Sequence, residues 1–184
     1  MKLSKSLMFS TLIMATLIIN PSYAAHKTDE SKPATSISSA EMGTLATVAA
    51  IDKNEILIGV VASNKKLDSS VTDFAKMMID QHGDNLTQIL EMVDAHPLTS
   101  SEADKLAAEG KAALMKLGAM QSDAFAAAYV NAMVKGHEAA LNLIDQHLMK
   151  TAKSEEVKKF LTDTRAAVAT HLEHAKQLQE KMKS

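Results

Sequence analysis

Cysteine is absent from this chain of 184 residues, and so is tryptophan. Without thiols there can be no disulfides, no thiolate metal ligands and no redox switching, and a folded state has to rest on its packed core. Aromatic residues are sparse: beyond position 24 only Phe74, Phe125, Tyr129 and Phe160 occur. With six glycines and three prolines, the chain is also short of the residues that build strands and tight turns, which argues against a β-rich domain. No excess of positive charge exists either, since 20 basic residues face 22 acidic ones; phosphate binding needs a basic face, so the balance argues against nucleic acid as a partner. Missing too are a nucleophile elbow, a phosphate-binding glycine loop and a serine beside a histidine on a helix face. Nothing positive points to hydrolase or transferase chemistry.

What is present begins with "MKLSKSLMFSTLIMATLIINPSYA", in which two lysines precede an apolar run from Leu7 to Ile19 and small residues close the segment at Ala24. This pattern predicts a signal peptide over residues 1–24. The run is shorter than the roughly 20 residues that a membrane span requires, and no cysteine follows it to carry a lipid. The expected mature chain starts at Ala25 in the periplasm; it loses Lys2 and Lys5, which leaves 18 basic residues against 22 acidic ones. Residues 25–38, "AHKTDESKPATSIS", are polar, aperiodic and contain Pro33. They are expected to form a disordered leader ahead of one domain over 39–184.

The residues abundant in that domain are Ala, Met, Leu, Lys, Glu and Gln, all good helix formers. Apolar residues recur at spacings of three and four, which predicts four long helices and one short one. The first runs from about Ser39 to Asn64, with Leu45, Val48, Ile51, Ile58 and Ala62 inward. The second starts at Asp68 or Ser69, carries Val71, Phe74, Met78, Leu86, Ile89 and Val93, and stops before Pro97, which cannot continue a helix. A shorter helix follows from Ser101 to about Leu117. The third long helix begins at Ser122 or Asp123 with Phe125, Tyr129, Met133, Ala140, Ile144 and Leu148 inward. The fourth, capped by Ser154, buries Val157, Phe160, Leu161, Thr164, Val168, Leu172, Ala175 and Leu178. Short turns at 65–68 and 150–153 make each flanking pair double back. The expected fold is all-α, an antiparallel four-helix bundle with an extra short helix between the second and third.

Three histidines interrupt the inward rows. His82 stands four after Met78 and four before Leu86, His137 four after Met133, and His171 three after Val168 and four before Ala175. On the first helix Glu55 takes the corresponding place, four after Ile51 and three before Ile58. Measured from the centres of the two short turns, Glu55 and His82 differ in height by about 6 Å, and so do His137 and His171. Asp52 matches His82 in height more closely and is the alternative member from that helix. Buried polar groups left unpaired cost a few kcal/mol each, so these side chains have to satisfy one another or something they hold. Two readings stay open: a metal centre made of Glu55, His82, His137 and His171, or a structural hydrogen-bond network. Three imidazoles and a carboxylate suit Zn, Fe, Mn or Cu. A third reading is a bundle loosened when the histidines protonate below about pH 6.5.

Other candidates are weaker. His174 could share a face with His171 but lies about 4.5 Å nearer the helix end. His96 falls in a loop beside Pro97, and His26 in the leader. Asp80 with His82, and Asp145 with His147, are D-x-H pairs, but residues two apart on a helix point about 200° apart. Asp80 and Asp145 are therefore expected to be solvated surface charges. Met78 and Met133 are flexible core filler, and no M-x-x-M cluster marks a copper carrier.

Three stretches, "FAKMMIDQHGDNL", "FAAAYVNAMVKGHEAALNLIDQHL" and "VKKFLTDTRAAVATHLEHAKQL", resemble the bacterial exported domain-of-unknown-function 4142 family over about residues 41–180. Its elements are matched by Glu55, by Asp80 and His82, by Tyr129 and His137, and by His171; Ala126 stands where members carry an aspartate. The resemblance implies a ferritin-like bundle, export, and a label as predicted outer-membrane protein. The chain has no pattern of alternating strands, so the physical expectation is a periplasmic domain, with peripheral outer-membrane association as the alternative. Di-iron chemistry would need E-x-x-H, and the residues three before His82, His137, His171 and His174 are Ile79, Val134, Val168 and His171. The expected role is that of a metal-binding or stress-related accessory of the envelope without turnover of its own. The rival role is an interaction module whose partner is another envelope protein or a second copy.

Overall fold

The computed structural model describes residues 37–183 apart from position 95. The expected signal peptide, all of the expected leader but Ile37 and Ser38, and His26 lie outside the described residues. Among the described residues the fold is a helical bundle without strands.

Each helix starts where a side chain can take up free backbone N–H groups. α1 (Ser39–Ser63) opens with a capping box: Ser38 accepts from the Glu41 N–H, and the Glu41 carboxylate accepts from the Ser38 N–H at 3.0 Å. Asp68 caps α2 (Ser69–Val93) by accepting from the Ser70 N–H at 2.8 Å. That helix ends at Asp94, whose φ of 44° is left-handed, just ahead of Pro97. Ser100 caps α3 (Ser101–Gly118), and Ser154 caps α6 (Glu155–Lys181), where Glu155 and Glu156 meet the positive end of the helix dipole. α4 (Ser122–Leu143) has no side-chain cap and runs on through a π-helical turn (Ile144–Leu148) into α5 (Met149–Thr151). That wide turn is the element the sequence reading lacks. An extra residue inserted into a helix keeps the apolar spacing locally plausible, and Ile144 and Leu148 are both buried as expected.

Glu41 does more than cap. Its other carboxylate oxygen accepts from the N–H groups of Lys153 and Ser154 at 2.9 and 2.7 Å and from the Ser154 hydroxyl at 2.8 Å, tying the start of α1 to the start of α6. Burial opposes its charge, yet these hydrogen bonds outweigh it and hold the carboxyl well below the usual range.

The core has two main apolar clusters. One gathers Ile58, Phe74, Met78, Phe125, Tyr129, Met133 and Ala175, the other Leu45, Val48, Ile89, Ile144, Phe160, Leu161 and Val168. In chain order Asp52, His82, His137 and His171 each fall between a member of one cluster and a member of the other. A polar layer therefore separates two apolar halves. Ile51, Leu86 and Leu172, expected inward, are only partly buried. α1 departs most from a one-sided helix, since residues 44–50 are all buried. α3 explains this: Ala103, with Leu98 and Leu106 beside it, covers Ala46 and Ala50 on the side of α1 away from α2. Close approach needs glycine at two places. A Cβ on Gly59 would lie 2.9 Å from Ile79 on α2, and one on Gly110 would lie 2.1 Å from the Asn54 amide, which donates to the Leu106 carbonyl at 2.9 Å.

Candidate metal centre

The three histidines of the inward rows meet. Their ring centroids are 5.2, 5.4 and 6.0 Å apart, and one ring nitrogen from each lies within 4.8 Å of the other two. All are buried, at 4 % exposure for His82 and 2 % for His137 and His171. The height mismatch inferred for His137 and His171 did not keep them apart. The helical path from His137 ends at Thr151 and α6 begins at Glu155, so the connection is centred at residue 153, which lies 16 residues after His137 and 18 before His171; the mismatch falls to about 3 Å, within side-chain reach.

Each ring has one nitrogen engaged and one free. His82 Nδ1 bonds to Asp52 Oδ1 at 2.7 Å, His137 Nδ1 to the Met133 carbonyl at 2.8 Å, and His171 Nε2 to the Gln81 amide oxygen at 2.6 Å. A carbonyl or carboxylate oxygen only accepts, so in the neutral rings these nitrogens carry the hydrogens. The nitrogens left as lone pairs, His82 Nε2, His137 Nε2 and His171 Nδ1, are shielded from solvent and have no hydrogen-bond partner. A carboxylate, a carbonyl and an amide oxygen on the far nitrogens are the partners that orient metal-binding imidazoles. The rings bring one nitrogen each within 4.8 Å of the others, and lone pairs crowded together repel one another. One water has only two protons to offer and leaves the third unsatisfied, whereas a cation satisfies all three. For a tetrahedral ion with Zn–N bonds of about 2.0–2.1 Å the nitrogens would draw in to about 3.3 Å.

Electrostatics favour the same form of the rings. Burial pushes the His137 imidazolium down to about 4, helped by the neighbouring His82 charge, and His171 to about 3, through burial and then His82, His137 and His174. Both rings are neutral at neutral pH. Asp52 is 1 % exposed, and burial raises its carboxyl although His82 and Asn85 pull the other way. Asn85 donates to Asp52 at 3.0 Å and accepts from the Thr164 hydroxyl at 3.0 Å, so a chain from α6 through α2 to α1 fixes the His82 ring.

The first-helix position is therefore divided. Glu55 was expected to be the ligand or the acceptor that sets the tautomers, but the acceptor is Asp52, the alternative that height favoured. Glu55 is also outside the group of donors that converge within 4.8 Å. Its Oε2 is shielded and unpartnered, as is the hydroxyl of buried Tyr129, and burial raises both groups. His174 is exposed and borders a different surface pocket with Ser70, Phe74 and Lys181. His96 bonds to the Val93 carbonyl, Asp80 is exposed, and Asp145 is paired through both oxygens with Arg165 at 2.6 and 2.8 Å rather than simply solvated. Gln81 and Asn85 went unremarked in the sequence, and Thr164 was expected only as an inward residue of its helix, because a polar residue on a helix carries no mark of where its amide or hydroxyl reaches.

Two openings approach the polar layer. A groove of about 190 Å³ between α2 and α6 reaches His82 and His171 beside Gln81, Asn85 and Ala167. A cleft of about 300 Å³ between α1, α3 and α4 reaches Glu55 beside Met133 and Gly136. No described helix is long and apolar enough to cross a membrane.

A family model described as Domain of unknown function (DUF4142) matches residues 26–178. No curated protein and no solved structure matches the chain.

Proposed function

We propose, starting from the fact that this chain belongs to the domain of unknown function (DUF4142) family, that it is an exported bundle whose polar layer binds one transition-metal ion. The ligands are His82, His137 and His171, and Glu55 is the nearby anionic group. The single observation that carries this is a set of three buried histidines that bring one ring nitrogen each within 4.8 Å of the others, every ring having one nitrogen held by an oxygen and the other shielded and unpartnered. Buried nitrogen donors suit Zn, Cu, Fe or Mn over Mg or Ca, whose preference is oxygen. The arrangement also leaves room for a further ligand, which makes a one-metal site distinct from a di-iron centre. In our reading the four long helices take an antiparallel, ferritin-like arrangement, residues 1–24 are a signal peptide, and the protein works in the periplasm as an envelope or stress-related accessory. The closeness of Asp52 to His82 and of Gly59 to Ala75 and Ile79 supports the reversal of α2 against α1.

Metal analysis of protein purified from its native compartment tests the reading, with a His82→Ala/His137→Ala variant alongside. Wild type should carry about one ion per chain and the variant none. Equal, sub-stoichiometric metal in both, together with no rise of the melting temperature on adding ions, would sink it.

A further inference from the structure

Glu55 is a partly buried carboxylate beside the polar layer, and the histidine triad supplies no partner for its shielded Oε2. We propose that the cleft between α1, α3 and α4 is the entrance by which a divalent transition-metal cation reaches the triad, with Glu55 as the transfer ligand at its inner end. This rests on the metal-site reading above.

Glu109, exposed on α3, stands at the cleft, and the lining is kept low by Gly110, Ala132, Gly136 and Ala139. Glu55 lies inside with a shielded, unpartnered Oε2. A Cβ on Gly136 would come within 3.6 Å of its Oε1, so the carboxylate rests against the helical turn that carries His137. It is also one turn along α1 from Asp52, which holds His82. An unpaired carboxyl in such a place is costly, and a passing dication relieves the cost. Two carboxylates leading inward through low-dielectric walls also concentrate cations.

The groove between α2 and α6 reaches the triad where the His171 Nε2–H is already held by Gln81, so a cation arriving that way meets an N–H donor on that ring.

Stopped-flow mixing of the full chain with cobalt(II) chloride, followed by visible absorption, tests the route. Glu55→Gln removes the transfer ligand, Gly136→Leu fills the cleft while improving helix propensity, and Ala167→Leu fills the opposite groove. Association should slow about tenfold or more in the first two variants, with equilibrium affinity unchanged in Gly136→Leu and association at the wild-type rate in Ala167→Leu. Wild-type rates in all three variants, or slowing by Ala167→Leu alone, overturn the route while leaving the site standing. Failure of the wild-type chain to bind cobalt at all overturns the site itself, and the route with it.

Discussion

Replacing Asp52 separates what the polar layer contributes to folding from what it contributes to metal binding. In Asp52→Ala the His82 Nδ1–H loses its acceptor in a buried place, while the Asn85 amide, on the groove between α2 and α6, can turn to water. One unsatisfied buried group costs about 1–3 kcal/mol, so the variant should lose roughly that much stability. In Asp52→Asn the amide oxygen can still accept from His82, and the desolvation cost of a buried carboxylate disappears, so stability should change by less than about 1 kcal/mol. Metal affinity follows a different order. Losing the partner that orients and enriches a ligating imidazole weakens binding by about 10- to 100-fold, or about 1.4–2.7 kcal/mol. Asparagine should fall near the low end and alanine near the high end. Urea denaturation of metal-free protein gives the first quantity, and titration with Zn²⁺ against a chromogenic chelator gives the second. Asp52→Asn that folds like wild type but binds Zn²⁺ about tenfold more weakly is the expected signature. Wild-type affinity in Asp52→Ala would refute the assignment of His82 as a ligand whose ring Asp52 fixes.

Other outcomes follow from the same geometry. Excess Zn²⁺ at about 100 times its dissociation constant should add about 2.7 kcal/mol of stability and raise the melting temperature by roughly 5–10 °C, by calorimetry, and not in His82→Ala/His137→Ala. His137 and His171 bind protons in the unfolded chain below about pH 6.5 but in the folded one only near 4 and 3; the unfolded state therefore holds more protons in this window, and metal-free stability drops as pH falls. Between pH 6.5 and 5.5 that loss amounts to about 2 kcal/mol for the two rings. Asp52 and Glu55, raised by burial, act in the opposite sense, so the quantity to compare is the change in wild type minus that in His137→Leu/His171→Leu; a difference near zero contradicts the buried, neutral rings. Glu41→Ala leaves the N–H groups of Lys153 and Ser154 without their acceptor and should cost about 3 kcal/mol or more by urea unfolding, whereas a loss below 1 kcal/mol would show that α1 and α6 do not depend on this tie. Tyr129→Phe removes a hydroxyl that has no partner and should leave stability within about 1 kcal/mol of wild type or above it; a larger loss would mean the hydroxyl is satisfied.

The helices were legible because their causes are local. Caps at Asp68 and Ser154, the stop before Pro97 and the spacing of Phe125, Tyr129 and Met133 act within a few residues of chain, whereas the Ser38 cap falls in the expected leader. The same periodicity singled out His82, His137 and His171, since a histidine in an apolar row must be buried with it. Height arithmetic even favoured Asp52 over Glu55 as the neighbour of His82, although Glu55 fitted the inward row better. What local rules could not supply was direction. Which nitrogen of each ring faces inward depends on an acceptor on another helix or a turn away: Asp52 on α1, Gln81 on α2, the Met133 carbonyl on α4. The second buried face of α1 exists only because α3 folds over it, and the π turn exists only in how α4 meets its neighbours. The sequence by itself determined that three imidazoles would be buried. Only the tertiary structure decided that the three rings meet and which nitrogen of each is held by an oxygen, because a hydrogen bond is fixed by the position of both partners and sequence spacing places one of them.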